Sequence, residues 1–313
     1  MSINNSYNGW VVIDKPLTKT STQMVGAVRK AYNTKKVGHA GTLDPLATGV
    51  VPIALGEATK TVAYAQDYKK IYTCRVEWGK QTSTDDLEGD VINTSDKRPT
   101  LEDIKSLIQS EFLGDIQQTP PRFSAIKIDG KRAYDLARKG EEFEIKTRTV
   151  YIYDIEILDH DTDWVDLKVT CGKGTYIRSI GRDLGEKLGC FGYITALRRL
   201  KVGPFSLESA ISLDILEKYA KTPALEEYLL SLAVALDDIS GIPLNDTEAS
   251  TIKRGGILNV VTRADLEKLK SLHITTALNQ ETILYGFHEK TKKPIAMLKL
   301  NMPEIRPIRV FNC

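Results

Sequence analysis

The chain has 313 residues, 42% of them hydrophobic, which is enough for one large domain, or a large and a small one, with a real core. No apolar run approaches the roughly 18 residues a membrane span needs, and MSINNSYNGW lacks the basic and apolar regions of a signal peptide. Four scattered cysteines (Cys74, Cys171, Cys190, Cys313) and four scattered histidines (His39, His160, His273, His288) show no CxxC or HExxH spacing, which argues against a disulfide framework or a zinc site and for a reducing, cytoplasmic setting. The net charge of +2 conceals segregation: seven Lys/Arg face two acids over 171–201, while nine acids face two bases over 205–249. Such a distribution suits a polyanion partner; ordinary solvated surface is the alternative.

The first element, GWVVIDKP, reads as a short strand closed by Pro16. Thr20 and Gln23 then form a T-x-x-Q capping box, and Met24, Val25, Val28, Ala31 and Tyr32 recur at helical spacing. A glycine-rich loop, GHAGTLDPLATGV, leads into the apolar VVPIAL. IYTCRVEW alternates, with Tyr72, Cys74, Val76 and Trp78 on one strand face. TLEDIKSLIQSEF opens on a second capping box, Thr100 with Asp103, and Pro120–Pro121 ends regular structure beyond it.

Residues 122–148 form a basic insertion, eight Lys/Arg against five acids, with Asp129–Gly130 as a hairpin signal. TVYIYDIEIL and WVDLKVTC read as strands. GKGTYIRSIGRDLGEKLG turns into a helix whose buried stripe is Ile177, Ile180, Leu184 and Leu188, with Gly189 as its stop. The acidic segment before residue 240 reads as mostly helical with a break at Pro223, and a small β-rich unit follows it. Strands and helices interleave irregularly, so the class is α+β.

Two residues stand out chemically. Pro45 forces Asp44 out of the α region and holds its carboxylate on an extended bend; a plain turn-initiating Asp–Pro is the alternative. Arg178 sits in the first turn of its helix, where the macrodipole disfavours a cation, so a carboxylate partner is the simplest reason for its place; snorkelling to solvent is the alternative. The glycine-rich loop lacks GK[ST], no GxSxG is present, and GKGTYIR lacks the remaining features of a dinucleotide fingerprint.

GHAGTLDPLATGVVPIALGEATK closely resembles the signature loop of the bacterial TruB family of tRNA pseudouridine synthases. GWVVIDKP, IYTCRVEWGKQTSTDDLEGD, PPRFSAIKIDGKRAYDLARKG, GTYIRSIGRDLGEKLGC and ALRRLKVGPF resemble further motifs of the family, so the likeness covers residues 9–215. The resemblance implies a pseudouridine synthase fold: a largely antiparallel mixed sheet flanked by helices, over 1–245, with an RNA-gripping insertion at 122–148. It also implies a small PUA-like RNA-binding domain over 246–313. Asp44 is implied as the catalytic aspartate, Tyr72 as the active-site tyrosine and Arg178 as the carboxylate's partner. His39, Lys60, Lys15, Leu197, Lys131 and Arg132 are implied as substrate contacts.

The implied reaction converts the T-loop uridine of tRNA, position 55, to pseudouridine by base flipping, without cofactor or metal. The implied partner is the tRNA T-arm, bound by a monomer with no obligate protein partner. Phosphate contacts fall to 122–148 and 171–201. The residues leave open whether Asp44 attacks C1′, attacks C6 or removes the C2′ proton.

Overall fold

A computed structural model describes residues 7–274 and 280–313. Residues 1–6, on which part of the signal-peptide reading rests, lie outside the described residues. No described helix is long and apolar enough to cross a membrane.

The fold is α+β, as the sequence implies. Its centre is an eleven-stranded mixed sheet. The strand Gly9–Lys15 pairs antiparallel with Ala47–Leu55, which runs parallel beside Gly192–Val202. Gly192–Val202 then pairs antiparallel with Lys70–Trp78, and Trp164–Cys171 and Arg148–Asp161 extend the sheet outward. Lys70–Trp78 alternates between buried and half-buried along its whole length, which places Tyr72, Cys74, Val76 and Trp78 on one covered face. The helices Ser21–Ala31, Leu101–Glu111 and Ile177–Lys187 contribute to the core on that face, where Met24, Val28, Ile104, Ile108, Ile180 and Leu184 are buried with the strand residues. Both capping boxes form, at Thr20–Gln23 and Thr100–Asp103.

The helix-rich reading of the acidic segment is only partly met. A six-residue helix, Leu213–Lys218, is followed by 3-10 turns at Pro223–Tyr228 and Leu232–Leu236. Pro223 stands at the start of the first turn and cannot continue the preceding helix.

The second sheet has five strands, and Gly241–Leu244 forms one of its edges. That strand precedes the division implied at 245/246. The two sheets share a core in which Trp10, Phe205, Leu232, Met297 and Phe311 are buried together. The five-stranded sheet is thus packed against the eleven-stranded one.

Candidate active site

The loop carrying Asp44 runs from the short strand Val37–His39 to the strand Ala47–Leu55, and three side chains fasten it. The Leu43 N–H donates to Ser21 Oγ at 2.8 Å. Lys15, fully buried, donates to the carbonyls of Pro16, Lys19 and Pro45 at 3.0, 2.6 and 3.1 Å. Arg199 reaches across from the neighbouring strand and donates to Val50 O at 2.7 Å and Gly41 O at 3.1 Å. Gly49 makes this possible: its φ is +104°, and a Cβ there would lie 2.1 Å from Arg199 O. The loop is held by charged groups from inside the protein, so Asp44 has a fixed position before any substrate arrives.

Arg178 meets that carboxylate. Its Nε lies 2.9 Å from Asp44 Oδ2, and its Nη1 lies 3.4 Å from Asp86 Oδ2. Nη1 also donates to Thr84 O at 2.8 Å and Nη2 to Phe123 O at 2.9 Å. The Arg178 side chain is 5% exposed and that of Asp44 is 35% exposed, so the cation is buried while the carboxylate still faces open space. This explains the cation in the first helical turn: two carboxylates and two carbonyls outweigh the unfavourable helix dipole.

Two cavities meet at Asp44 and Arg178. The larger, about 620 Å³, is lined also by Tyr72, Lys70, Tyr176, Leu197 and Arg199. The smaller, about 410 Å³, is lined by His39, Phe123, Arg132 and Tyr134. Burial pushes the Tyr72 phenol up, and the Arg199 guanidinium opposes the shift. Burial pushes His39 down, helped by Arg199, so its imidazole is held neutral. Lys15 and Lys70 are each lowered to about 8, chiefly by burial. Among the described residues, no three His, Cys, Asp or Glu side chains converge as a metal site.

The structure thus brings Asp44, Tyr72, Arg178, His39, Leu197 and Arg132 to the two cavities, and separates three other residues from them. Lys60 pairs with Glu57 at 2.5 Å and donates to Val310 O at 2.7 Å, so it clips the C-terminal strand rather than lining the site. Lys15 is spent on three loop carbonyls and has no exposed surface for a substrate. Lys131 lies exposed on the two-stranded hairpin of the insertion, outside both cavity walls.

The basic stretch 171–201 divides between buried and exposed charge. Arg178 and Arg199 are buried, Arg182 pairs with Asp85 and Asp183, and Arg198 pairs with Asp14. Lys187 and Lys173 face Glu111 and Asp67. Arg178 and Arg199 hold the site together, while Lys173, Lys187 and Lys201 stay exposed. The individual reading of the sequence missed Asp86 and Arg199. Adjacent arginines on a strand must point to opposite faces, so Arg198–Arg199 carried a signal that one of them is internal.

Two family descriptions match the chain in succession: the TruB family pseudouridylate synthase N-terminal domain over residues 29–177, and the tRNA pseudouridylate synthase B C-terminal domain over 178–238. The tRNA pseudouridine synthase B of Caulobacter vibrioides is 44% identical over 309 residues, covering 98% of this chain and 97% of its own. That of Ruegeria pomeroyi is 51% identical over 249 residues, covering 79% and 82%. Among solved structures, a chain of the archaeal box H/ACA sRNP Nop10-Cbf5 complex aligns with a TM-score of 0.72 at 23% identity, covering 98% of this chain and 87% of its own. A chain of a Cbf5-Nop10-Gar1 complex aligns with a TM-score of 0.71 at 26% identity, covering 98% and 84%. The fold is therefore that of a pseudouridine synthase. Within that class, the chain belongs to the TruB family.

Proposed function

We propose that the protein isomerises the T-loop uridine at position 55 of tRNA to pseudouridine, with Asp44 as the catalytic carboxylate. One observation carries the reading: Asp44 projects into a cavity of about 620 Å³ while a buried arginine holds it from behind. That the relatives are named tRNA pseudouridine synthase B supports tRNA as the substrate.

The reaction breaks the N1–C1′ bond, turns the uracil and rejoins it through C5, from which a proton leaves. Its redox state does not change, so the reading calls for no cofactor. Asp44 acts as a nucleophile at C1′ or C6 or as a base at C2′, and Arg178, 2.9 Å from its Oδ2, orients the carboxylate. The uridine enters by flipping out of the T loop. Tyr72 offers its ring for stacking, and burial keeps its phenol protonated, which favours a relay of the C5 proton over direct capture. Neutral His39, on the other side of Asp44, is placed to fill the space the base leaves or to hold the flipped strand.

The insertion 122–148 supplies phosphate contacts through Lys131 and Arg132, and the C-terminal unit acts as a PUA-like RNA-binding domain, with a single chain binding the T-arm. The test is tritium release from C5-labelled uridine in an unmodified tRNA transcript. Release from one uridine, abolished when position 55 is changed to cytidine, supports the reading. Release that persists in that transcript contradicts it.

A further inference from the structure

We infer that a single ordered water sits behind Asp44 and that Thr195 is the positioning residue that holds it. Thr195 is the extra residue of a β-bulge: the pairing of Gly192–Val202 with Lys70–Trp78 shifts register between Ile194 and Ala196. Beside the bulge, the Ile194 N–H donates to Asp85 O at 3.0 Å, so the strand bends where the loop carrying Asp86 crosses it. Bulges of this kind re-aim a side chain beside an active site.

The side chain re-aimed here is a hydroxyl. Thr195 Oγ1 is buried and makes no hydrogen bond. Arg178 Nε is likewise buried without one: it stands 2.9 Å from Asp44 Oδ2, but as a charge contact without an aligned N–H. Both residues line the same cavity, about 10 Å³ in volume, along with Asp44 and Asp86; Ala47 and Leu197 supply apolar wall. The cavity has room for one water and offers the two to four polar partners that a buried water uses. A water there accepts from Arg178 Nε–H, shares a hydrogen bond with Thr195 Oγ1 and donates to a carboxylate of Asp44 or Asp86. Both otherwise unpaired atoms are then satisfied by one molecule. The water contacts Asp44 from a separate small cavity, so the carboxylate keeps its aim when substrate enters the large one. The kinetic part of this inference rests on Asp44 being the reacting carboxylate; the site itself does not.

The experiment pairs a high-resolution crystal structure of the full-length protein with two near-isosteric variants. Parent density is expected to show a water within hydrogen-bond distance of both Thr195 Oγ1 and Arg178 Nε. Thr195→Val keeps the shape and removes the hydroxyl. It is expected to lose that water and to slow single-turnover pseudouridine formation about tenfold at saturating enzyme, with tRNA affinity unchanged. Thr195→Ser restores the hydroxyl and is expected to recover the water and most of the rate. A dry cavity in the parent overturns the inference. So does a Thr195→Val enzyme as fast as the parent, or a Thr195→Ser enzyme as slow as Thr195→Val, which would assign the effect to the methyl group. If the parent forms no pseudouridine at all, the proposed function fails, and the density alone still decides the water site.

Discussion

Arg199 and Gly49 occupy one place in the fold: the arginine backbone lies where any Cβ at residue 49 would be, 2.1 Å from the carbonyl oxygen. The two strands therefore run close enough for the Arg199 guanidinium to pass under the loop and hold Val50, Thr42 and Gly41 by their carbonyls. Arg199→Met keeps the length of the side chain and strands those carbonyls. The expected loss is about 2–3 kcal/mol of stability, with activity falling further than the fraction unfolded explains. Urea unfolding and single-turnover assays on the same preparation separate the two effects.

Arg178 holds two carboxylates, and Asp86 is as enclosed as the arginine itself. Arg178→Ala leaves Asp86 buried without that partner, and the expected destabilisation is about 3 kcal/mol. Pseudouridine formation is expected to vanish. A folded Arg178→Ala protein with near-parent turnover would contradict the role given to the pair.

Lys15 carries a pH dependence with a definite sign. Its folded pKa is about 8 against 10.5 for the free side chain. Between these values the unfolded chain binds the proton and the folded chain does not, so the Lys15 contribution to stability rises with pH through this window. The difference in unfolding free energy between the parent and Lys15→Met is expected to grow in the parent's favour from pH 8 to pH 10. Measuring the difference cancels the opposing effect of Cys74, Cys171 and Cys190, whose thiols burial pushes up. A difference that is flat or falls with pH would contradict the buried-cation account.

The insertion makes its own prediction. Lys131 and Arg132 lie exposed on the hairpin that turns at Asp129–Gly130. If both contact phosphates, replacing them with Gln reduces the slope of log affinity against log salt by about two. For Lys131→Gln alone the maximal single-turnover rate is expected to hold, because Lys131 lies outside both cavity walls. An unchanged slope would remove the insertion from the RNA footprint.

Much of this architecture was legible in the sequence because local signals agreed with the global fold. Thr20–Gln23 and Thr100–Asp103 announced two helices, the alternation at Tyr72–Trp78 announced a strand with one covered face, and Asp129–Gly130 announced a hairpin. The anomaly of a cation in the first helical turn pointed to a carboxylate, and Asp44 is the residue it meets. Charge pattern misled where opposite charges distant in sequence neutralise each other in space. Arg198 finds Asp14, and Arg182 finds Asp85. None of these pairings has a periodicity to read. The bulge at Thr195 was equally silent, since one extra residue in a strand leaves no compositional trace.

The central claim is that Asp44 performs the chemistry. Its most direct test is single-turnover pseudouridine formation by Asp44→Ala at saturating enzyme, on a tRNA transcript labelled at C5 of the target uridine. Saturation removes any contribution from weaker binding. The account predicts no release above background from a variant that unfolds in urea close to the parent midpoint and binds tRNA at least as tightly, since one negative charge facing the RNA is gone. Turnover within about tenfold of the parent, equivalent to about 1.4 kcal/mol of barrier, would make Asp44 a turn residue and contradict the account.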